Sequence, residues 1–368
     1  MTEPRDIFLV CPPGLEPLLR DEAAEAGFAV PRAVPGGVET AGGWPEVWRA
    51  NLTLRGATRA LVRLGAFRAM HLAQLDKRAR KFPWAEVLPR GAAVRVEAVC
   101  RRSRIYHAGA AAQRIETALR EALDARIAPE GVRVLVRIED DLCTVSLDTS
   151  GEGLHKRGHK LAVGKAPLRE TLAALFLRGC GFRGTEPVVD PMCGSGTFVI
   201  EAAEIAAGLA PGRGRRFAFE GFAGFDPEAW AAMKAAAAPR TPAARFHGSD
   251  RDQGAARMAA ENAARAGVAD WCDFARTAVS DLEPPPGPPG LVIANPPYGA
   301  RIGEQRLLFG LYGALGKTLR ERFKGWRVGI VTSDAGLARA AGLPFGPPGP
   351  PVDHGGLKIR LHSTGPLG

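Results

Sequence analysis

Two apolar segments that each run into a tight polar loop constrain the fold of this chain more than any other feature. Val188 and Val189 lead into a loop at 190–197, and Leu291–Ala294 leads into residues 295–298. Gly194 and Gly196 let the first loop turn sharply after a strand and approach a ligand more closely than any side chain would allow. Both segments therefore predict strands that end at a binding loop.

The first loop carries a carboxylate, Asp190, at the end of its strand. A dinucleotide-binding loop of the G-x-G-x-x-G type holds a pyrophosphate at a helix N-terminus, where a carboxylate inside the turn would repel the ligand. The loop therefore suits a cationic ligand that has no phosphate. By itself it is also compatible with a purely structural turn from strand to helix.

The second loop is stiff, because Pro296 and Pro297 fix their own φ angles and restrict the residue before each of them. The side-chain oxygen of Asn295 and the carbonyl of Pro296 can both accept hydrogen bonds from one exocyclic amino group, and Tyr298 offers a face for stacking a base. A proline turn that closes a strand is the plain alternative. Together the two loops predict methyl transfer from S-adenosylmethionine to a planar nitrogen, with residues 295–298 as the catalytic loop.

Strand and helix patterns alternate from Leu168 to the end of the chain. Strands are predicted at 187–190, 244–247, 271–275, 291–294 and 328–332, with an antiparallel closing strand at 356–362. This rhythm predicts an α/β domain with a doubly wound, mostly parallel sheet that binds ligands at the carboxyl ends of its strands. The N-terminal part mixes strands at 7–10, 94–99, 132–138 and 142–147 with a helix at 108–123, which predicts an α+β region.

Further carboxylates follow the next strands of the predicted sheet. Asp250 is placed to accept hydrogen bonds from ribose hydroxyls, with Asp252 as a competitor that also suits a helix N-cap, and Asp281 could accept from an adenine amino group or simply form a turn. Thr197 could cap the helix after the glycine loop or touch the ligand. Glu201 could orient the loop, or it could be a solvated helix acid. The predicted cofactor-binding residues are Asp190, Pro191, Cys193, Gly194, Gly196, Thr197, Asp250 and Asp281.

Composition points to a polyanionic partner. The 368 residues include 49 Lys and Arg against 39 Asp and Glu, a formal net charge of +10, and this length suits two or three domains. The six cysteines form no C-x-x-C pair and no histidine lies at zinc spacing, so no metal site is predicted. The sequence shows no cationic leader and no membrane-spanning run, from which we expect a cytoplasmic protein without a membrane partner.

Basic residues cluster near aromatic ones at two places in the N-terminal part and continue into a glycine-rich connector. Phosphate contacts beside stacking faces are typical of RNA binding, whereas a solvated basic surface is the alternative. Phe82 and Trp84 lie beside the first cluster. The predicted RNA-binding residues are Lys77, Arg78, Arg80, Lys81, Arg101, Arg102, Arg104, Tyr106, Lys156 and Arg157, with Lys160 and Lys165 extending the charge along the connector.

The two loops resemble the motifs of Rossmann-type (class I) S-adenosylmethionine-dependent amino-methyltransferases. More narrowly, residues 190–197 with Glu201, and residues 295–299, resemble the bacterial RlmL-type family of THUMP-domain RNA guanine-N2 methyltransferases, whose members are often described as adenine-specific DNA methylases. Residues 148–158 and 166–170 are similar to further family signatures, so the resemblance covers nearly the whole chain. It implies a ferredoxin-like subdomain at 1–65, a THUMP domain at 66–152, a linker at 153–167 and a methyltransferase domain at 168–368.

The resemblance implies methylation of guanine N2 in 23S ribosomal RNA. Transfer RNA guanine-N2 methylation, adenine-N6 methylation of DNA or RNA and glutamine methylation of a protein are alternatives, because the same loop geometry serves any planar amine or amide. Some family members carry a second methyltransferase domain that this sequence does not include, which leaves ribosomal and transfer RNA both open. An RNA-binding module without catalysis is the alternative from another class of function.

Overall fold

The computed structural model describes residues 4–160, 168–298 and 305–368. Its contacts divide the chain into two compact units. The described residues of Met1–Cys11, with Arg20–Leu154 and Arg215–Ala236, form the first unit, and Pro12–Leu19 with the described parts of His155–Gly214 and Ala237–Gly368 forms the second.

The elements alternate along the whole described chain. The strands are β1 (Arg5–Val10), β2 (Ala29–Val34), β3 (Gly37–Gly42), β4 (Arg59–Arg68), β5 (Ala93–Arg101), β6 (Arg126–Ile127), β7 (Val132–Glu139), β8 (Leu142–Asp148), β9 (Val188–Asp190), β10 (Phe246–Asp250), β11 (Cys272–Arg276), β12 (Leu291–Ala294), β13 (Arg327–Thr332), β14 (Val352–His354) and β15 (Leu357–Ser363). The helices are α1 (Glu16–Glu25), α2 (Trp44–Thr53), α3 (Leu72–Ala79), α4 (Ala108–Leu123), α5 (Glu170–Gly179), α6 (Thr197–Ala206), α7 (Pro227–Ala235), α8 (Gln253–Ala266), α9 (Gln305–Arg322) and α10 (Ala335–Ala340).

The first unit contains an eight-stranded sheet in the order β2-β3-β1-β4-β8-β7-β5-β6. In β5 the side chains alternate between the two faces, so that Val94 and Val96 are buried. Helix α4 packs against β5 and buries a stripe that includes Ile115 and Leu119, as the alanine-rich helical pattern predicts. This unit is the α+β region that the sequence predicts.

The sheet of the first unit runs without a break past the domain boundary that the resemblance implies at residue 65. Strand β4 spans that position and pairs with β1 on one side and β8 on the other. A slip in the β4–β8 register falls between Arg63 and Gly65, next to the implied boundary. The division into a ferredoxin-like part and a THUMP part stays a prediction, and the structure adds that one continuous sheet would serve both.

The second unit has a seven-stranded sheet in the order β11-β10-β9-β12-β13-β15-β14. Strands β9 to β13 pair in parallel, and β15 runs antiparallel to β13. All residues of β9 and β12 are buried, as expected for central strands covered by helices on both faces. The predicted α/β class, with a parallel sheet and an antiparallel closing strand, is confirmed.

The second strand of this sheet begins later than predicted. It starts at Phe246, because Arg245 is exposed and forms an ion pair with Asp273, and it ends at Asp250, so that this carboxylate closes the strand. Among the helices that the structure describes, none is both long and apolar enough to cross a bilayer.

Candidate active site

The two predicted loops leave neighbouring strands at the same edge of the sheet. Strands β9 and β12 pair in parallel, with Val188 opposite Leu291 and Val189 opposite Val292. The strand order reverses between β9 and β12, and an open α/β sheet binds its ligands in the crevice at such a point. Met192 and Tyr298 pack against one shared apolar cluster, which holds the two loops at a common base.

The glycine loop is fastened to the strand beside it. Both glycines have positive φ, 51° at Gly194 and 84° at Gly196, which strains any residue with a side chain. The amide of Gly194 donates to Asp250 Oδ2 at 3.1 Å, and the amide of Cys193 donates to the carbonyl of Ser249 at 2.9 Å. A Cβ at Gly194 would meet no atom within 4 Å, so open space lies directly over this part of the loop.

Asp190 is enclosed in a way that favours a cationic ligand. Asp190 is only 2% exposed, and its Oδ1 accepts a hydrogen bond from the amide of Met192 at 3.1 Å. Burial raises the pKa of Asp190 to about 8, with a lowering contribution from the Met192 amide and a raising one from Asp250. A positive charge beside this carboxyl would favour its ionised form, which fits a sulfonium or ammonium group in the open space over the loop.

The second loop holds a buried polar atom for which the described part of the chain provides no hydrogen-bond partner. Asn295 Oδ1 is buried, and no group among the described residues donates a hydrogen bond to it. A buried acceptor without a hydrogen bond lowers stability by about 1–3 kcal/mol, so a ligand that donates a hydrogen bond to Asn295 Oδ1 would recover this free energy. Pro296 is buried, the carbonyl of Pro297 accepts from the Tyr312 hydroxyl at 3.4 Å, and burial raises the pKa of Tyr298.

The other predicted carboxylates separate by role. Asp252 caps α8 by accepting from the amide of Gly254 at 2.8 Å, which is the helix-cap role that its position allows. Asp250 stays at the strand end, where it bonds the glycine loop. Asp281 is exposed in a short 3-10 turn after β11 and accepts from the Ser280 hydroxyl at 3.2 Å.

Thr197 does not cap the helix that follows the loop, contrary to one expectation. Gly196 is the N-cap residue and Thr197 is the first residue of α6. The Thr197 hydroxyl instead accepts from Lys160 Nζ at 2.8 Å. Lys160 also donates to the carbonyl of Leu168 at 2.9 Å and pairs with Glu170 at 3.3 Å. The side chain of Lys160 is therefore engaged beside the glycine loop rather than extended into solvent.

Arg157 is also buried, which argues against its predicted contact with RNA. Its guanidinium lies 3.4 Å from Glu201 Oε1, and the two side chains are only 2% and 1% exposed. Glu201 is consequently not a solvated helix acid. Lys156 is exposed, whereas Lys165 and the rest of 161–167, together with Gly299, lie outside the described residues.

Sequence reasoning missed a second buried glutamate on the same helix. Glu204 is fully buried, pairs with Arg213 at 2.5 Å and has His159 Nδ1 at 4.0 Å. The pKa of His159 is lowered from its ordinary value, because the effect of burial exceeds the opposing effect of the nearby glutamates. The sequence of α6 indicates this burial, because the helix is apolar on every side and leaves no polar face on which Glu201 and Glu204 could be solvated.

The arginines after β5 gather at one edge of the first unit's sheet. In the strand register, Arg68 of β4 lies opposite Leu142 of β8, Leu142 opposite Glu139 of β7, and Glu139 opposite Arg101 of β5. The ends of four strands therefore coincide there. Arg102 pairs with Glu139 and Asp140, and Arg104 lies 3.8 Å from Asp141. Tyr106 is 85% exposed, which leaves its ring accessible for stacking.

The other predicted basic cluster lies at the far end of α3. Helix α3 follows β4 at this edge of the sheet, which we call the strand-end edge, and Lys77 and Arg78 occupy its last turn, about 8–9 Å from its first residue. Arg80 is tied to Asp76 and Glu121. Lys77, Arg78 and Lys81 are exposed.

Trp84 cannot serve this cluster as a stacking face. It is 1% exposed, its indole donates to the carbonyl of Ala79 at 2.8 Å, and Phe82 packs against it. The pairing of this basic cluster with Trp84 was therefore wrong, because the tryptophan belongs to the core. In the described part of the chain, no group of three or more His, Cys, Asp or Glu side chains could hold a metal ion.

The fold of this chain has counterparts in known proteins. Residues 157–344, about half of the chain, match the model of the RMKL-like methyltransferase domain, and residues 6–61 match that of the RlmL ferredoxin-like domain. The chain belongs to the RMKL-like methyltransferase family. The resemblance to the RlmL type is thereby confirmed, and the family supports the predicted enzyme class and its methyl donor, S-adenosylmethionine.

Three similar proteins illustrate the family. Ribosomal RNA large subunit methyltransferase K/L of Syntrophotalea carbinolica is 37% identical over 365 residues, which cover 93% of this chain and 51% of the relative. A predicted N6-adenine-specific DNA methylase from Listeria monocytogenes is 29% identical with a TM-score of 0.89, over 99% of this chain and 97% of the other. SMU.472 in complex with SAH is 26% identical, with a TM-score of 0.88 and full coverage of both chains. The chain spans about half the length of the curated relatives it matches.

Proposed function

We propose that this protein transfers a methyl group from S-adenosylmethionine to the exocyclic amine of a base in RNA, with guanine N2 of 23S ribosomal RNA as the target. The observation that carries the proposal is the buried Oδ1 of Asn295, to which no residue that the structure describes donates a hydrogen bond, at the edge where the glycine loop also opens. An amino group can donate a hydrogen bond to this oxygen, whereas a carbon atom as the methyl acceptor could not.

The cofactor is held by residues of the glycine loop and the neighbouring strand ends. Asp190 offers a negative charge to the cationic donor, Gly194 provides open space, and Asp250 keeps the loop in place. Pro191, Cys193, Gly196 and Thr197 shape the same loop, and Asp281 is the candidate acceptor for the adenine amine. S-adenosylmethionine supplies a methyl group on a positively charged sulfur, which is an activated leaving group.

The protein's own contribution to the reaction is position. Asn295 Oδ1 and the carbonyl of Pro296 would accept hydrogen bonds from the two N–H groups of the amine and turn the nitrogen lone pair toward the methyl group, and Tyr298 would stack the base. Once the new bond forms, the methylated nitrogen carries a positive charge and loses a proton to water, so no strong base is required. Because the base must leave any helix to reach this loop, we expect it to be flipped out of its stack.

RNA as the substrate class is supported by the relatives and by the charge of the chain. The curated relatives are named for ribosomal RNA, and the net charge of +10 favours a polyanion. The exposed candidates for RNA contact are Arg101, Arg102, Arg104, Tyr106, Lys77, Arg78, Arg80, Lys81 and Lys156. A protein that modifies ribosomal RNA would work in the cytoplasm, where we place it.

The proposal is tested by removing the Asn295 acceptor. Asn295→Ala should lower kcat for RNA methylation by about 100-fold, because the amine is no longer aligned. Asn295→Asp keeps an oxygen acceptor and should retain more activity than the alanine variant. Incorporation of labelled methyl groups into separate RNA, DNA and release-factor pools gives the rates, and calorimetry shows whether each variant still binds the cofactor.

Mass spectrometry of the labelled nucleosides identifies the base. N2-methylguanosine from ribosomal RNA would agree with the proposal, whereas methylated transfer RNA, N6-methyladenine or methylglutamine would favour the corresponding alternative. A folded, cofactor-binding Asn295→Ala protein with full activity on RNA would show that residues 295–298 do not orient the amine.

A further inference from the structure

Helix α5 begins at the same sheet edge as the active-site loops. Arg327, the first residue of β13, donates through Nη1 to the carbonyl of Cys180 at 2.6 Å, and Cys180 is the C-cap of α5. The end of α5 therefore lies at the amino edge of the sheet. Because the helix has ten residues and rises about 15 Å, its first turn and Arg169 lie toward the carboxyl edge.

The hairpin of β14 and β15 also reaches past this edge. The last pair between β13 and β15 joins Thr332, where β13 ends, to Arg360. Residues 357–359 of β15 and the turn at Gly355 and Gly356 thus extend about 10 Å beyond the end of β13. His354 pairs with Leu357 at the base of that turn, so the hairpin carries an imidazole over the ligand edge.

Basic side chains from three segments of the chain lie near this edge, since Lys160 Nζ donates to the carbonyl of Leu168, the neighbour of Arg169, at 2.9 Å and the hairpin carries His354 past the same edge. Burial lowers the pKa of His354, and the positive charges of Arg169 and Lys160 lower it further, so both lie close enough to repel a protonated imidazole. Glu170 neutralises Lys160, and Asp353 pairs with Lys358 on the hairpin. No described carboxylate forms an ion pair with Arg169, which is exposed and gives its own helix no side-chain cap.

We propose that Arg169 and His354 form an anchoring site for a phosphate of the RNA backbone beside the target nucleotide. The guanidinium of Arg169 is a cation without a described counter-ion and favours an anion, and the imidazole of His354 can donate a further hydrogen bond to a phosphate oxygen. The inference rests on the proposed function. It adds a contact that the basic clusters of the first unit do not supply.

The position within the sheet favours RNA over the cofactor as the source of the anion. Asp250 and Asp281, the candidate ligands for the nucleoside of the cofactor, follow β10 and β11 on one side of β9. The hairpin lies on the opposite side, beyond β12 and β13. A strand of RNA that presents its base to Asn295 from this side meets Arg169 and His354 before it leaves the edge.

The test compares Arg169→Ala, His354→Ala and the double variant with Lys317→Ala, which removes one exposed charge from α9. Affinity for the methylated RNA is measured at several salt concentrations, and affinity for S-adenosylmethionine is measured without RNA. The double variant should bind RNA about tenfold more weakly, with the slope of log K against log salt reduced by about 1, as expected for a lost phosphate contact. Lys317→Ala should match the wild type, and cofactor affinity should be unchanged in all variants.

Two results would overturn the phosphate site. One is a double variant whose RNA affinity and salt slope equal those of Lys317→Ala. The other is a loss of cofactor affinity with RNA affinity intact, which would assign the anion to the carboxylate of the cofactor. Wild-type protein that methylates no RNA pool would instead remove the proposed function itself, and circular dichroism identifies any variant that has failed to fold.

Discussion

Polar and charged side chains are buried at the ligand edge, which is the carboxyl edge of the second unit's sheet where the two loops lie. At the strand-end edge of the first unit's sheet they are exposed. At the ligand edge, Asp190, Arg157 and Asn295 Oδ1 are buried, and Asn295 Oδ1 receives no hydrogen bond from the described residues. At the strand-end edge, Arg102 and Arg104 are exposed and already lie beside carboxylates of the same edge. A buried hydrogen-bond acceptor without a donor favours a ligand whose donor group has a fixed position. Exposed arginines that already lie beside carboxylates attract a polyanion only weakly and without fixed geometry.

This contrast explains why charge alone is a poor guide to RNA contacts. Arg157 and Lys160 belong to the same basic connector pattern as Lys156, but the structure uses the first two to neutralise Glu201 and Glu170. Changes at the buried edge should therefore be large and should affect stability or catalysis. Changes at the exposed edge should be small, additive and sensitive to salt.

Removal of a buried cation should produce the largest effect. Arg157→Ala takes the guanidinium away from the buried carboxylate of Glu201 and should lower the free energy of unfolding by about 3 kcal/mol. Arg216→Ala is the matched control, because Arg216 is 91% exposed and lies 3.9 Å from Glu220; it should change stability by less than about 0.5 kcal/mol. Urea unfolding gives both values. Equal stability of the two variants, with RNA binding lost only in Arg157→Ala, would restore Arg157 as an RNA contact.

A methyl group in the glycine loop should separate stability from ligand binding. Gly194→Ala and Gly267→Ala both place alanine at positive φ with no neighbour within 4 Å, so each should cost about 1–2 kcal/mol of stability. Only Gly194 faces the proposed cofactor space; Gly267 ends α8. Calorimetry should show about tenfold weaker cofactor binding for Gly194→Ala alone. Comparable cofactor affinity in both variants would mean that the ligand does not approach the loop.

Cofactor binding should depend on pH through Asp190. Because burial raises the pKa of Asp190 to about 8 and a cation favours the carboxylate, binding near pH 7 should release a proton, and affinity should rise with pH until about 8. Calorimetry in buffers of different ionisation enthalpy measures the released proton. Asp190→Asn should bind the cofactor more weakly and without this pH dependence, and an unchanged proton release in that variant would point to another group.

The same carboxyl has an opposite consequence for stability. The folded protein holds a proton at Asp190 that the unfolded chain gives up near its ordinary pKa of 3.8, so this contribution is complete below pH 3.8 and is lost as the pH rises through about 8. The free energy of unfolding of the wild type should therefore fall more steeply over this range than that of Asp190→Asn. Parallel curves from urea titrations of both proteins would show that Asp190 is already ionised without a ligand.

The smallest effects are expected at the exposed edge. Arg101→Ala and Arg104→Ala should each weaken RNA binding by about threefold near 0.15 M salt and lower the salt slope by about 1. Tyr106→Phe keeps the stacking face and should bind like the wild type, whereas Tyr106→Ala should lose about tenfold. Filter binding at several salt concentrations tests all four variants. A salt slope that none of the substitutions changes would move the RNA away from this edge.

Much of the fold could be predicted from the sequence because local patterns report local structure. The period-two alternation of β5, the alanine-rich α4 and the fully apolar β12 each show their element type directly, and the alternation of strands with helices indicates a parallel sheet. The shift of β10 toward Asp250 shows the limit of this reasoning. Whether a short segment continues a strand depends on partners such as Asp273, which lies far along the chain.

The sequence by itself determined the chemistry of the two loops, because the backbone freedom of Gly194 and Gly196 and the rigidity of Pro296 and Pro297 are properties of the residues themselves. Only the tertiary structure decided which charges are available. The burial of Arg157 against Glu201 and the hydrogen bond of Lys160 to Thr197 depend on contacts between segments distant in sequence. The energy of a charge depends on its surroundings far more than on its identity, and surroundings are set by the fold.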